Sequence, residues 1–320
     1  MSDMPKFVHI NEEGPREGFQ IEKGPISTTQ KIELIDALSE TGITHIQAVS
    51  FVNPKRVPGW ADADEVVEGF TAKPGVKYTA LVLNDKGLER AVASDKLHVR
   101  GTISLTASEK FLMRNQRRTL AENIEAQRGM ISLFKQHEVD VNRVSVMAAF
   151  GCNFEGNIAA SQVLDMVRSG MTLANDSGLN IKEIGLADTM GWATPQDIYR
   201  TVGAVRDAYP DHEVVLHLHD TRGMAVANAL AGLQLGVAKY DATVGGLGGC
   251  PFAANAGASG NICTEDLVFM LGEMGIETGI DLDKLIEVAK LAEDIVGHPL
   301  PGSVKVGGNL RTPREQVNAA

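Results

Sequence analysis

Eight short runs of apolar, mostly β-branched residues punctuate this chain, and each is followed by a segment with helical spacing. The runs are read at residues 7–10, 44–51, 78–83, 98–105, 143–150, 183–187, 213–219 and 240–244, with starts about 33 residues apart. Between them, Ile32, Ile35 and Leu38 follow the cap signal Ser27-Thr28-Thr29. Ile198, Val202 and Val205 follow Thr194-Pro195, a cap residue with proline in the first turn. Leu230, Leu233 and Val237 repeat the pattern. Strand–helix alternation at this period means βαβ units on a parallel sheet. Eight units predict the α/β class and a closed (β/α)8 TIM barrel, in preference to an open doubly wound sheet. A barrel of roughly 250 residues leaves room for an extension. We divide the 320 residues into a barrel catalytic domain over 1–280 and a C-terminal helix and tail packed on it over 281–320. Pro299, Pro301, Gly302, Gly307 and Gly308 make the tail read as a surface extension.

Composition narrows the function. Hydrophobic residues at 43% and charged residues at 22% exclude a disordered chain. No apolar run approaches the ~18 residues of a membrane span. A net charge of −11 repels nucleic acid, so an anionic ligand needs a local basic pocket. Cys152, Cys250 and Cys263 are too few for a disulfide framework, which points to a reducing compartment. The opening Met-Ser-Asp-Met-Pro-Lys reads as neither signal nor transit peptide, so the expected location is cytoplasmic. Neither G-x-G-x-x-G nor a P-loop pattern supports a nucleotide cradle.

Barrel chemistry lies at the C-terminal ends of the strands, and polar clusters gather there. After the first run, Arg16 and Glu17 are adjacent. An arginine that cannot lose its charge suits an oxyanion or enolate, and a carboxylate suits a hard cation. The same pair also reads as a solvated charged turn. In Leu216-His217-Leu218-His219-Asp220, strand alternation turns both histidines to one face and both leucines toward the helices. Two imidazoles with oxygen donors suit Mg²⁺, Mn²⁺ or Zn²⁺. Residues 244–261 hold six glycines, a composition that suits a lid. Within them Cys250 is an acid/base or an inert thiol, and Asn261 is a ligand or a helix N-cap. Gln47 and Ser50 end the second run. Asp188-Thr189 follow the sixth, where Asp188 orients a base or water, or closes a plain turn. Arg114, Arg117 and Arg118, with Lys23, Lys55 and Arg56, offer an anchor for phosphates, although such charges are more often a solvated face.

Four stretches then carry a resemblance: Gly14-Pro15-Arg16-Glu17-Gly18-Phe19-Gln20, Ser50-Phe51-Val52-Asn53-Pro54-Lys55, His217-Leu218-His219-Asp220-Thr221 and Gly246-Leu247-Gly248-Gly249-Cys250-Pro251. In this order, over about residues 6–300, the chain resembles the 3-hydroxy-3-methylglutaryl-CoA lyase family of divalent-metal lyase barrels. The resemblance implies retro-Claisen cleavage of a 3-hydroxy-3-methylglutaryl-CoA-like thioester to acetyl-CoA and acetoacetate. It implies an Mg²⁺ or Mn²⁺ ion on Glu17, His217, His219 and Asn261. Arg16 would stabilise the enolate, Cys250 would be the acid/base, Asp188 would act near the substrate hydroxyl, and Gln47 would complete the catalytic set. Lys23, Lys55 and Arg114 would bind coenzyme A. The expected partner is a small-molecule acyl-CoA, with the chain as a homodimer and neither nucleic acid nor membrane engaged. Glu17, Gln47 and Arg222 replace the family's Asp, Glu and Tyr, and the Cys250 loop is two residues longer. These departures leave open a lyase for another 3-hydroxyacyl-CoA, such as citramalyl-CoA, or a barrel that binds metal and CoA without turnover.

Overall fold

The computed structural model describes residues 4–22, 24–55, 57–249 and 260–319. All eight expected strands are present: β1 (His9–Glu12), β2 (His45–Ser50), β3 (Lys77–Leu81), β4 (Gly101–Thr106), β5 (Val141–Met147), β6 (Glu183–Ala187), β7 (Glu213–His217) and β8 (Lys239–Ala242). They form one sheet in the order β3-β2-β1-β8-β7-β6-β5-β4, and every adjacent pair is parallel. The edges β3 and β4 meet where Tyr78 bridges Leu97 and the His98 N–H donates to the Tyr78 carbonyl at 2.7 Å. The sheet thus curls into a TIM barrel, with helices outside.

Local chemistry accounts for the elements. Ser27 caps the helix Thr28–Ser39 and Gln30 reaches back to complete the capping box. Thr194 caps Pro195–Ala208 in the same way through Asp197. The outward faces of β6, β7 and β8 are apolar and covered: Ile184, Leu186, Val214, Leu216 and Tyr240 are buried under helices. The helix Ala225–Gln234 approaches so closely that a Cβ on Gly232 would lie 2.7 Å from Leu216 Cδ1. Burying one such leucine contributes about 2 kcal/mol.

Two features differ from expectation. The strands at the mouth end earlier than read: β5 stops at Met147 and β7 at His217, and past β7 the backbone pairs with residues 260–262 instead of a neighbouring barrel strand. The tail is not all surface, since Leu300, Gly302 and Lys305 are buried. Pro301 and Leu300 pack on the glycine-rich turn, where added Cβ atoms on Gly246 and Gly245 would meet them at 2.8 and 2.6 Å. The helix Leu282–Val296 packs against Thr28–Ser39 and Thr264–Glu273.

Candidate active site

The mouth is assembled from the ends of β1, β7 and β8. After β1, Gly14–Gly18 make one π-helical turn that carries Arg16 and Glu17 over the barrel axis. Just past β7, residues 218–220 pair with the returning segment 260–262. Ile262 N donates to the Leu218 carbonyl at 2.9 Å, Asp220 N to the Gly260 carbonyl at 2.8 Å, and His219 bridges Asn261. This short ribbon sets Asn261 beside the histidines. Asn261 does not cap the next helix, whose N-cap is Cys263.

Around the point these elements share, the His217 and His219 Nε2 atoms lie 3.2 Å apart. Glu17 Oε1 is 3.7 Å from His219 Nε2 and 3.9 Å from His217 Nε2. Asn261 Nδ2 donates to the same Glu17 oxygen at 2.9 Å and to the Leu247 carbonyl at 3.2 Å. Asn261 Oδ1 is buried and has no hydrogen-bond partner among the described residues. Two ligands in adjacent positions around an ion at about 2.1 Å stand about 3 Å apart, close to the histidine separation here. An orphaned buried carbonyl beside two imidazoles and a carboxylate fits a hard or borderline divalent cation. Gly248 makes room: with φ at 89°, it would carry a Cβ only 2.8 Å from Asn261 Nδ2.

Charge sharpens the picture. Burial works against ionising Glu17, but Arg16, the two histidines and Asn261 outweigh it and bring its carboxyl down to about 2. Burial also works against charge on His217, yet the Asp241 hydrogen bond with the charges of Glu17, Glu13 and Asp241 carries it up to about 9. His219 falls to about 4 through burial and the charge of His217. Without an ion, therefore, one imidazolium and one neutral ring face each other.

Arg16 is held on three sides. Its Nε donates to Gln47 Oε1, one terminal nitrogen pairs with Glu13 and the other lies 3.0 Å from Glu17 Oε2. Its carbonyl accepts Trp60 Nε1 at 2.9 Å. The guanidinium is thus fixed beside Glu17, which faces the two histidines.

Asp188 is fully buried, and its oxygens accept the Trp192 and Ala193 N–H groups at 2.8 and 3.0 Å. Burial pushes its carboxyl up to about 6, despite those bonds and Arg222 nearby. It closes the turn after β6 and sits beside β7, its N–H bonded to the His217 carbonyl. Lys55 is exposed, and its N–H bonds Asn53 Oδ1. Arg114 is exposed and stacks 4.7 Å over Phe154. Lys23 and Cys250 lie outside the described residues.

Sequence reasoning missed three groups here: Glu13, Asp241 and Glu12. Asp241 accepts Asn11 Nδ2 at 2.7 Å and Arg143 at 3.1 Å, and lies 3.4 Å from His217 Nδ1. Glu13, His217 and Asp241 form a second acid–imidazole cluster. Guanidinium groups already occupy its carboxylates, which disfavours a second cation there. Glu12 faces outward but is fully buried, and accepts Gly14 N, Val244 N and the Thr264 hydroxyl at 2.7, 2.9 and 2.6 Å. Period-two alternation within β1 and β8 was the available signal.

Comparison with known proteins adds identity to geometry. The family model described as HMGL-like matches residues 8–292. The mitochondrial hydroxymethylglutaryl-CoA lyase of Macaca fascicularis is 42% identical, over 90% of this chain and 85% of its own length. The hydroxymethylglutaryl-CoA lyase of Bacillus subtilis is 37% identical, over 93% of this chain and 96% of its own. An HMG-CoA lyase structure from Acinetobacter baumannii, in complex with coenzyme A and 3-methylmalate, superposes with a TM-score of 0.86 at 37% identity. It covers 97% of this chain and 98% of that one.

Proposed function

The chain belongs to the HMGL-like family, and from that premise we propose that it cleaves 3-hydroxy-3-methylglutaryl-CoA to acetyl-CoA and acetoacetate with the help of Mg²⁺ or Mn²⁺. One observation carries the reading: Glu17, His217 and His219 converge at the barrel mouth with Asn261 Oδ1, which has no partner among the described residues. These four residues would hold the ion. Bound there, a divalent cation would supply Lewis acidity toward the substrate's 3-hydroxyl.

The chain's own groups supply the rest. Asp188, poised near 6, accepts the hydroxyl proton; two backbone N–H donors fix its orientation. The C2–C3 bond then breaks, C3 becomes the ketone of acetoacetate, and the electron pair moves into the thioester as an enolate. Arg16, immobilised by Gln47, Glu13 and Glu17, stabilises that negative charge. Cys250 returns a proton to C2 to give acetyl-CoA. Lys23, Lys55 and Arg114 hold the coenzyme A phosphates. A homodimer in the cytoplasm completes the proposal.

The test is acetyl-CoA release from 3-hydroxy-3-methylglutaryl-CoA with added metal, then with excess chelator. Activity is expected to vanish in chelator and in His217→Ala. Full turnover in either would end the metal proposal, and a Cys250→Ser variant with wild-type turnover would remove Cys250 from the chemistry.

A further inference from the structure

Two imidazole nitrogens of one histidine face different company. His217 Nε2 points to His219 and Glu17, whereas its Nδ1 lies 3.4 Å from Asp241 Oδ2 and 3.8 Å from Glu13 Oε2. The placement follows from strand register. Asp241 on β8 is paired with His217 on β7, so their side chains leave neighbouring strands at one level on the same inner face. Asp241 is itself held from two further sides. Asn11, its register partner on β1, donates to Oδ1 at 2.7 Å, and Arg143 on β5 donates to Oδ2 at 3.1 Å. Asp241 is only 4% exposed. Glu13 is the weaker candidate for the same duty, since its Oε2 is engaged by Arg16.

Arg143 reaches Asp241 across the barrel because β6 leaves a gap. A Cβ on Gly185 would sit 2.8 Å from both Arg143 Nε and one terminal nitrogen. Gly185 is not in a left-handed conformation, so it is close approach, not backbone freedom, that calls for glycine.

We infer that Asp241 is a positioning residue that holds His217 with Nδ1–H toward a carboxylate and Nε2 free for the cation. Asn11, Arg143 and the gap at Gly185 serve to fix Asp241. A carboxylate behind a ligating imidazole fixes the tautomer, locks the ring and raises ligand basicity. Asp241 touches neither ion nor substrate; it acts through His217. The inference rests on the metal reading above.

Calorimetric titration of the metal-free chain with Mn²⁺, with Mn²⁺ electron paramagnetic resonance as a second readout, tests it. Asp241→Asn is expected to weaken Mn²⁺ binding by about 10- to 100-fold. In a His217→Ala background the same substitution should change affinity by less than about threefold, because the residue it acts through is gone. Equal losses in both backgrounds, or wild-type affinity in Asp241→Asn, would overturn the inference. Should Asp241→Asn fail to fold, Asn11→Ala and Gly185→Ala carry the test. Each is expected to weaken Mn²⁺ binding in the presence of His217 and to have little effect without it; undiminished binding in both would be equally fatal. A wild-type chain that binds no Mn²⁺ would sink the functional reading and this inference together. Binding lost in His217→Ala but intact in Asp241→Asn would sink the inference alone.

Discussion

Replacing Asn261 by Asp swaps one atom in kind and reverses a hydrogen bond. The Asn261 Nδ2 donor stands 2.9 Å from Glu17 Oε1, and the substitution puts a carboxylate oxygen there. A hydrogen bond to a charged group, ~1.5–3 kcal/mol, is lost. Two unit charges at that separation repel by about 6 kcal/mol at an effective dielectric of ~20. The chain has a cheaper escape in taking up a proton. Keeping an aspartate with an unfolded pKa of about 3.9 protonated at pH 7 costs about 4 kcal/mol, and the protonated group can again donate to Glu17. Metal-free Asn261→Asp should therefore be less stable by about 4 kcal/mol at pH 7, a melting midpoint lower by on the order of 10 °C. The folded pKa is raised above the unfolded one, so the deficit is absent below about pH 4 and grows as pH rises; at pH 5 it should be about 1.5 kcal/mol. A divalent cation held by Glu17 and the new aspartate would offset their repulsion without the proton, so Mn²⁺ should raise the variant's midpoint more than the wild type's. Scanning calorimetry at pH 5 and 7, with and without Mn²⁺, reads all of this. A pH-independent deficit, or equal Mn²⁺ shifts in both proteins, would refute the reasoning.

Three further outcomes follow from the same site. His217 is raised to about 9 in the fold, so its contribution to metal-free stability is complete below about pH 6.5 and is lost as pH climbs through 9. Metal affinity should rise over that same window with close to one proton released per ion, measurable by calorimetry in buffers of different ionisation enthalpy; a pH-independent affinity contradicts it. Burial lifts Glu12 to about 8 against its three hydrogen bonds, so the fold holds it protonated at pH 7. Glu12→Gln should then change urea stability by under about 1 kcal/mol, whereas Glu12→Ala, which strips three buried partners, should cost about 3 kcal/mol or more. Equal costs would show that the charge matters after all. Arg16→Lys cannot meet Gln47, Glu13 and Glu17 together; kcat for thioester cleavage should drop by about 10²-fold or more with KM little changed, and a loss confined to KM would assign Arg16 to binding alone.

The parts of this site legible in the sequence are those where one local rule decides. His217 and His219 share a face because strand side chains alternate, and their ring nitrogens do meet. Ser27 and Thr194 cap helices because their hydroxyls have backbone donors waiting. Asp241, Arg143 and Glu12 were not legible for an equally physical reason. A charge in a strand is read as facing water, whereas both faces of a barrel strand are buried, one under helices and one around the axis. Asp241 and Arg143 survive burial because the two charges, from β8 and β5, meet inside the barrel at 3.1 Å. That contact spans 98 residues of sequence. The glycine-rich run was legible as special but not for its purpose. Its described part is pinned: Glu12 holds Val244 N, Glu265 holds Gly245 N, and the Thr243 hydroxyl holds the Leu247 carbonyl. Those glycines serve tight turns and close approach to Asn261 and the tail.

Gln47 is where the charge balance of the mouth can be set. Glu13, Glu17 and Asp241 are countered by Arg16 and Arg143, so with neutral histidines the cluster carries one net negative charge. A divalent cation turns that to one net positive charge, which suits a substrate bearing a carboxylate and an incipient enolate. A glutamate at position 47 would cancel that positive charge. It would lie roughly 7 Å from the cation, across the width of the Arg16 guanidinium and one coordination bond. At that distance the added attraction for a divalent ion is about 1–5 kcal/mol across plausible dielectrics. Gln47→Glu should therefore tighten Mn²⁺ binding at least about fivefold while it competes with the enolate for Arg16 and lowers kcat. Calorimetry and the cleavage assay separate the two effects. Unchanged Mn²⁺ affinity would mean that the guanidinium screens position 47 completely, and the balance of charge at the mouth would then have to be set elsewhere.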